Sequence, residues 1–173
     1  MKNRATPTGR EVRLQDDEFI VSRTDTRGRI TYTNRSFMQI SGYSEPELLH
    51  KQHNIIRHPD MPRALFHFLW ETIQQGQECF AYVKNLCKNG DHYWVFANVT
   101  ADRDEGGNIT GYFSVRRPVR HEVIPGFEEL YRRMCAAERA AGAKEAIAAG
   151  TRVLQDEVRA KGFPDYAKFV LGA

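Results

Sequence analysis

Phe80-Ala81-Tyr82-Val83-Lys84-Asn85-Leu86, then Lys88-Asn89-Gly90-Asp91, then His92-Tyr93-Trp94-Val95-Phe96-Ala97-Asn98-Val99-Thr100 is the stretch that decides the fold. Two β-prone runs flank an Asn-Gly pair, the strongest short-range hairpin signal, because the turn needs residues that tolerate positive φ. Period-two alternation in the second run puts Tyr93, Val95 and Ala97 on one face. It puts Trp94, Phe96 and Asn98 on the other. Asp104-Glu105-Gly106-Gly107 turns the chain again, and Ile109–Arg116 reads as the next strand.

Upstream, Phe19-Ile20-Val21-Ser22 and Ile30-Thr31-Tyr32-Thr33 flank the turn Asp25-Thr26-Arg27-Gly28, a second hairpin. Asn34 stands where it caps a short helix containing Phe37, Met38 and Ile40, which Gly42 ends. Ser44 and Glu47 form a Ser-x-x-Glu capping box opening another short helix that ends near His50. Pro59 and Pro62 forbid a continuous helix through Asn54–Pro62. Pro62 suits the first turn of a following helix, whose Leu65, Phe66, Leu69, Trp70 and Ile73 have amphipathic spacing before Gly76.

The order is two strands, several short helices, then a three-stranded meander. It predicts an α+β fold: a five-stranded antiparallel sheet with short helices over one face. Such a sheet leaves a cavity between its concave face and the helices, suited to a planar ligand. Residues 1–17 are polar, with Pro7 and Gly9, and read as an N-terminal arm, flexible or loosely docked. Residues 18–120 read as the main domain, which holds the sheet. Residues 121–173 form a helical C-terminal extension: Phe127, Leu130, Tyr131 and Met134, then Ala143, Ala146, Ile147, Val153, Leu154 and Val158, then Tyr166, Phe169 and Val170. A break is expected near Gly142 and a weak point at Gly150.

The chain has 173 residues, 41% of them hydrophobic, with 25 basic and 22 acidic side chains giving +3. That bias is too small for a nucleic-acid partner. The densest basic cluster, Arg116, Arg117 and Arg120, reads as a solvated strand end. The N-terminus lacks the apolar run of a secretory signal, and no stretch reaches the ~20 apolar residues of a membrane span. A cytoplasmic location is therefore expected. Cys79, Cys87 and Cys135 are odd in number without a CxxC pair, which speaks against a disulfide framework or structural zinc.

The chain resembles a PAS domain in this element order. More specifically, it resembles the FAD-binding PAS domain of bacterial aerotaxis receptors and of stand-alone energy-taxis PAS proteins. The resemblance is carried by Ile30–Asn34, Ser41-Gly42-Tyr43, His53–Pro62, Phe66, Trp70, Val83-Lys84-Asn85, Lys88–Val95 and Gly111–Arg116. It implies a non-covalently bound FAD and a role in reporting redox or electron-transport status. It also implies that Arg57, His58 and Asp60 are needed to bind FAD. Arg57 suits a diphosphate because its planar fork matches phosphate oxygens. His58 can donate to phosphate or ribose, and Asp60 can accept from a sugar hydroxyl or hold Arg57.

Phe66, Trp70 and either Tyr93 or Trp94 are candidates for the walls of the flavin slot, against the reading that they are ordinary core aromatics. Asn34, Asn85 and Asn98 are candidates for the ring edge, since an amide both donates and accepts. The alternatives are a helix cap for Asn34 and surface strand positions for the others. Cys79 departs from the tryptophan common in the family.

No cysteine lies between Asn34 and Glu78, which argues against a blue-light photoadduct. No nucleotide-binding or nucleophile motif is present, and no enzymatic turnover is expected. The alternatives are a cofactor-free PAS dimerisation module and a haem-binding PAS sensor using His58 or His67. Without a membrane anchor or output domain, the chain is expected to signal in trans to a chemotaxis-type protein, with a homodimer as the expected assembly.

Overall fold

The computed structural model describes residues 5–173. Five strands, β1 (Ile20–Asp25), β2 (Ile30–Thr33), β3 (Cys79–Leu86), β4 (His92–Arg103) and β5 (Ile109–Arg117), form one antiparallel sheet in the order β2-β1-β5-β4-β3. Between β2 and β3 lie α1 (Arg35–Ser41), α2 (Glu45–Leu48), a 3-10 turn (His53–Ile56) and α3 (Arg63–Gln74). After β5 come α4 (Ile124–Ala160) and α5 (Tyr166–Leu171). Among the described residues, no helix is long and apolar enough to cross a membrane.

Local chemistry explains most boundaries. Asn34 caps α1 by accepting from Phe37 N, and Gly42 ends the helix at φ 74°. Ser44 N donates to Glu47 Oε2 at 3.0 Å, the reciprocal half of the capping box. Gly90 turns the β3–β4 hairpin at φ 94°. Adding a Cβ there would also bring it 2.2 Å from the Thr6 carbonyl oxygen. The arm passes this close because it is docked. Thr8 N donates to Gly90 O, Val12 N to His92 O, and His92 N to Arg10 O, while Arg10 and Thr8 side chains bond Asp91.

The chain divides into two compact units, residues 1–58 with 73–118, and residues 59–72 with 119–173. In the first, the segment after α2 ties both sheet edges. Gln52 pairs with Arg29 beside β2, and Arg57 pairs with Asn85 on β3. Five strands laid flat would put those edges about 19 Å apart. Five residues reach at most about 17 Å, and less through a 3-10 turn. The sheet is therefore curled, with the turn crossing its concave face.

In the second unit, α4 breaks at Gly142, whose φ 74° and ψ 173° are not helical, as the sequence predicts. Its two halves, the first residues of α3, and α5 share a core that includes Leu65, Met134, Leu154 and Val170. Gly150 is not a weak point. A Cβ there would lie 2.6 Å from Glu138 Oε1 and 2.8 Å from the Ala64 Cβ, so the glycine permits close helix approach. Glu138 Oε2 accepts from Arg63 N at 2.9 Å and Oε1 from Ala64 N at 2.8 Å. The carboxylate thus caps α3, which has no acidic residue in its own first turn.

Candidate functional site

The helix-covered face of the sheet follows from register. Directly paired residues share a face, so Ser22 and Thr33, Ser114 and Val99, and Arg116, Ala97 and Ala81 line one side. Asn85 and Tyr93, and Cys79 opposite Val99, continue it. Around Arg116 the central strands present Ser22, Ser114 and Ala97 here, and the edge strand β3 presents Ala81 and Cys79. These are short side chains, as a sheet needs if a ligand is to lie against it.

Arg116 is the most unusual group on this face. The sequence places it in a solvated basic cluster, but it is only 2% exposed. The correction follows from alternation. Tyr112, Ser114 and Arg116 share a face, and pairing with Ile20 and Ala97 turns that face inward. The guanidinium lies over the Phe37 ring, 4.7 Å from its centroid. Its Nη2 donates to Ser22 Oγ. Among the described residues, its Nε and Nη1 have no hydrogen-bond partner, and neither does the buried Tyr93 hydroxyl. Burial pulls the guanidinium down to about 10, so it remains charged at neutral pH. A buried cation without a carboxylate is costly, as are buried unanswered donors. Native proteins keep few such groups, and they point to a site that takes acceptor atoms.

His53, in the 3-10 turn, completes the cluster. Its Nε2 lies 3.2 Å from Ser22 Oγ, and its ring is tilted against Phe37 at 5.9 Å between centroids. The residue keeps some exposure, but its imidazole is enclosed. Burial, then the Arg116 charge, pushes it down to about 3. Burial also raises the Tyr93 phenol, and it pushes the Cys79 thiol up to about 12.

The sequence-derived candidates fall into separate places. Asn85 is 4% exposed on the inner face, with its backbone paired to Arg57. His58, 2% exposed, packs edge-on against His92 at 5.8 Å. Asn34 uses its amide structurally: Oδ1 accepts from Phe37 N and Val21 N, and Nδ2 donates to Phe19 O. Trp94 and Asn98 pair with Lys84 and Phe80 on the opposite face of the sheet from Asn85. The Asn98 amide donates to Glu78 at 2.6 Å. Asp60, Phe66 and Trp70 belong to the second compact unit. There the Asp60 carbonyl accepts from Cys135 Sγ. Arg116, Ser22 and His53 were missed as site residues. Strand alternation puts Arg116 on one face with Tyr112 and Ser114 but does not say which face is inward. His53 opens the matching string His53–Pro62, and Ser22 carried no signal beyond being polar among apolar neighbours.

The chain matches the PAS fold family over residues 30–116, which is 87 of 173 positions, or half the chain. It is 45% identical over 123 residues to the aerotaxis receptor of Escherichia coli K12, covering 71% of this chain and 24% of the receptor. It is 28% identical over 106 residues to a nitrogen fixation regulatory protein of Klebsiella pneumoniae, covering 61% of this chain and 21% of that protein. The chain therefore spans under a quarter of the length of these relatives. Among solved structures, a light-oxygen-voltage domain studied with a flavin analogue superimposes with a TM-score of 0.56 at 22% identity, covering 64% of this chain and 83% of that one. The chain belongs to the PAS fold family.

Proposed function

We propose that the chain is a flavin-binding PAS sensor that reports redox state to a signalling partner and carries out no turnover. The observation that carries this reading is Arg116, a buried charge with two unanswered nitrogens on the sheet face where Ser22, Ser114, Ala97 and Ala81 are its short-chained neighbours. A flavin ring edge suits that surface. Its carbonyl and ring-nitrogen acceptors match the N–H groups of Arg116 and the Tyr93 hydroxyl. The Asn85 amide can serve an edge that both donates and accepts. FAD is the preferred flavin because of the Arg57-His58-Pro59-Asp60 string shared with the aerotaxis family, with Arg57 assigned to the diphosphate. Trp94 and Asn98 drop out of the site on this reading, since they occupy the other face. Asn34 keeps its cap.

When bound, the flavin supplies reversible electron uptake. The chain's own residues then supply orientation and a response. Arg116 favours whichever state of the ligand is more negative, because an enclosed cation is poorly screened. Asn85 sits where the loop backbone at Arg57 meets β3, so any change in its hydrogen bonding bears directly on that edge. The kinship with the aerotaxis receptor favours a chemotaxis-type partner, reached in trans from a cytoplasmic homodimer.

The absorption spectrum of the freshly purified chain tests the cofactor. Flavin bands that survive desalting support the reading. A colourless chain that takes up no FAD, or a Soret band, overturns it. Signalling is tested by partner affinity with oxidised and with dithionite-reduced protein. Equal affinities overturn it, because a ligand shifts an equilibrium only through differential binding.

A further inference from the structure

The polar cluster inside the sheet has a direction. Arg116 can only donate, so Ser22 Oγ accepts its N–H. The Ser22 hydroxyl proton is then available to His53, whose Nε2 lies 3.2 Å away. A serine oxygen can accept twice, so this contact fits either tautomer. The one that leaves Nε2 open to a proton has neutral His53 protonated on Nδ1, and in it the donor chain runs from Arg116 through Ser22 to His53.

We propose that His53 is the proton acceptor that compensates the charge added when the bound cofactor is reduced, an assignment that rests on the flavin reading above. The step balances. A one-electron donor of the quinol or dithionite class is oxidised, and one electron enters the site. One proton from solvent bonds to His53 Nε2. No covalent bond in Ser22 breaks, and its hydroxyl rotates so that Oγ accepts from both His53 and Arg116.

The surroundings explain why this group responds. The charged or titratable groups facing it are Arg116 from β5 and, beyond it, Tyr93 from β4. Ser22 from β1 and Phe37 from α1 are neutral. Among the described residues, no carboxylate is found as a partner of this cluster. An apolar enclosure and then a cation oppose a proton on His53, and negative charge added beside Arg116 offsets the cation's share of that opposition.

The test is the pH dependence of the reduction equilibrium of the flavin-loaded chain, followed by spectroelectrochemistry between pH 6 and pH 8. The wild type is expected to lose about tenfold in its reduction equilibrium constant per pH unit, the signature of one proton per electron. His53→Phe keeps an aromatic ring against Phe37 but cannot titrate, and is expected to have a shallower slope, left with only the protons the flavin itself takes up. Ser22→Ala, which leaves the imidazole but breaks the donor chain, is expected to shift the potential while keeping a slope. A wild-type slope retained in His53→Phe overturns the proton assignment and leaves the flavin reading standing. Failure of the wild type to hold flavin overturns both.

An independent readout comes from imidazole 15N shifts of the cofactor-free chain. They should show His53 as the Nδ1–H tautomer, staying neutral well below the ordinary imidazole range. The opposite tautomer also overturns the assignment.

Discussion

Arg116 and Glu138 are both charged, and both are under a tenth exposed, at 2% and 7%. One lies on the inner face of the sheet, the other in the helical core of the second unit. Glu138 is answered: each carboxylate oxygen accepts a backbone N–H from the start of α3. Arg116 is half answered, with one bond to a serine and two nitrogens without a partner. A buried charge whose donors and acceptors close locally is structural. One whose bonds stay open prepares the protein for something outside itself.

The largest expected effect tests the structural half. Glu138→Ala strips two buried N–H groups of their partners and removes the negative charge at a helix start. Each loss of a partner costs on the order of 1–3 kcal/mol, and the helix-end charge adds a few tenths or more. A fall of about 3 kcal/mol in unfolding free energy is expected from denaturant titration of the whole chain. A loss below about 1 kcal/mol would mean that water replaces the carboxylate and that the two charges differ less than the geometry says.

Arg116→Met is expected to act in the opposite direction. In the cofactor-free chain it removes an uncompensated charge and fills the space with a flexible apolar side chain. The gain is about 1–3 kcal/mol, the range seen when buried charges are replaced by apolar groups. Flavin affinity falls about 100-fold, equivalent to about 2.7 kcal/mol of lost charged hydrogen bonding. Melting curves with and without FAD separate the two effects. If the variant is less stable in the cofactor-free form, Arg116 is a structural group, and the functional half of the contrast fails.

Most of the fold was legible in the sequence because its signals are local. Asn89-Gly90, the Asn34 cap, the Ser44–Glu47 box and the Gly142 break each depend on residues a few positions apart. The inner site was less legible. Arg116 is buried because β5 pairs with β1 and β4 in one register and because α1 lays Phe37 across it. Those contacts are fixed across spans of some twenty to a hundred residues and leave no short-range pattern. Gly150 misled for the same reason: its local signal is helix weakness, and its role lies in the approach of Glu138 and Ala64. Asn85 and Asn98 looked alike as strand asparagines, and only the pairing of β3 with β4 places them on opposite faces of the sheet.

Acid stability gives a smaller effect. His53 is held down to about 3 in the folded chain, by burial first and by Arg116 second, against 6.5 when unfolded. Above pH 6.5 both states are neutral at this residue and stability does not depend on it. As pH falls from 6.5 toward 3, the unfolded chain takes up a proton that the folded chain refuses, so stability drops. The slope approaches about 1.4 kcal/mol per pH unit, or about 1 kcal/mol between pH 6 and pH 5. His53→Phe should remove that part of the acid sensitivity. Arg116→Met should narrow the window from below, because it removes the second cause. An unchanged acid profile in His53→Phe would mean that solvent already reaches the ring.

The smallest expected effect separates the two faces of the sheet. Asn98 sits on the outer face, bonded to Glu78 at an exposed position, where truncation typically changes stability by less than about 0.5 kcal/mol. Asn98→Ala should therefore leave both the melting temperature and the flavin content nearly unchanged. Asn85→Ala, one strand away and facing inward, should lower flavin retention with only a modest loss of stability. The pair matters because residue type treats the two asparagines alike, while strand register separates them. If Asn98→Ala empties the chain of flavin and Asn85→Ala does not, the ligand lies on the outer face. The open nitrogens of Arg116 would then need another explanation.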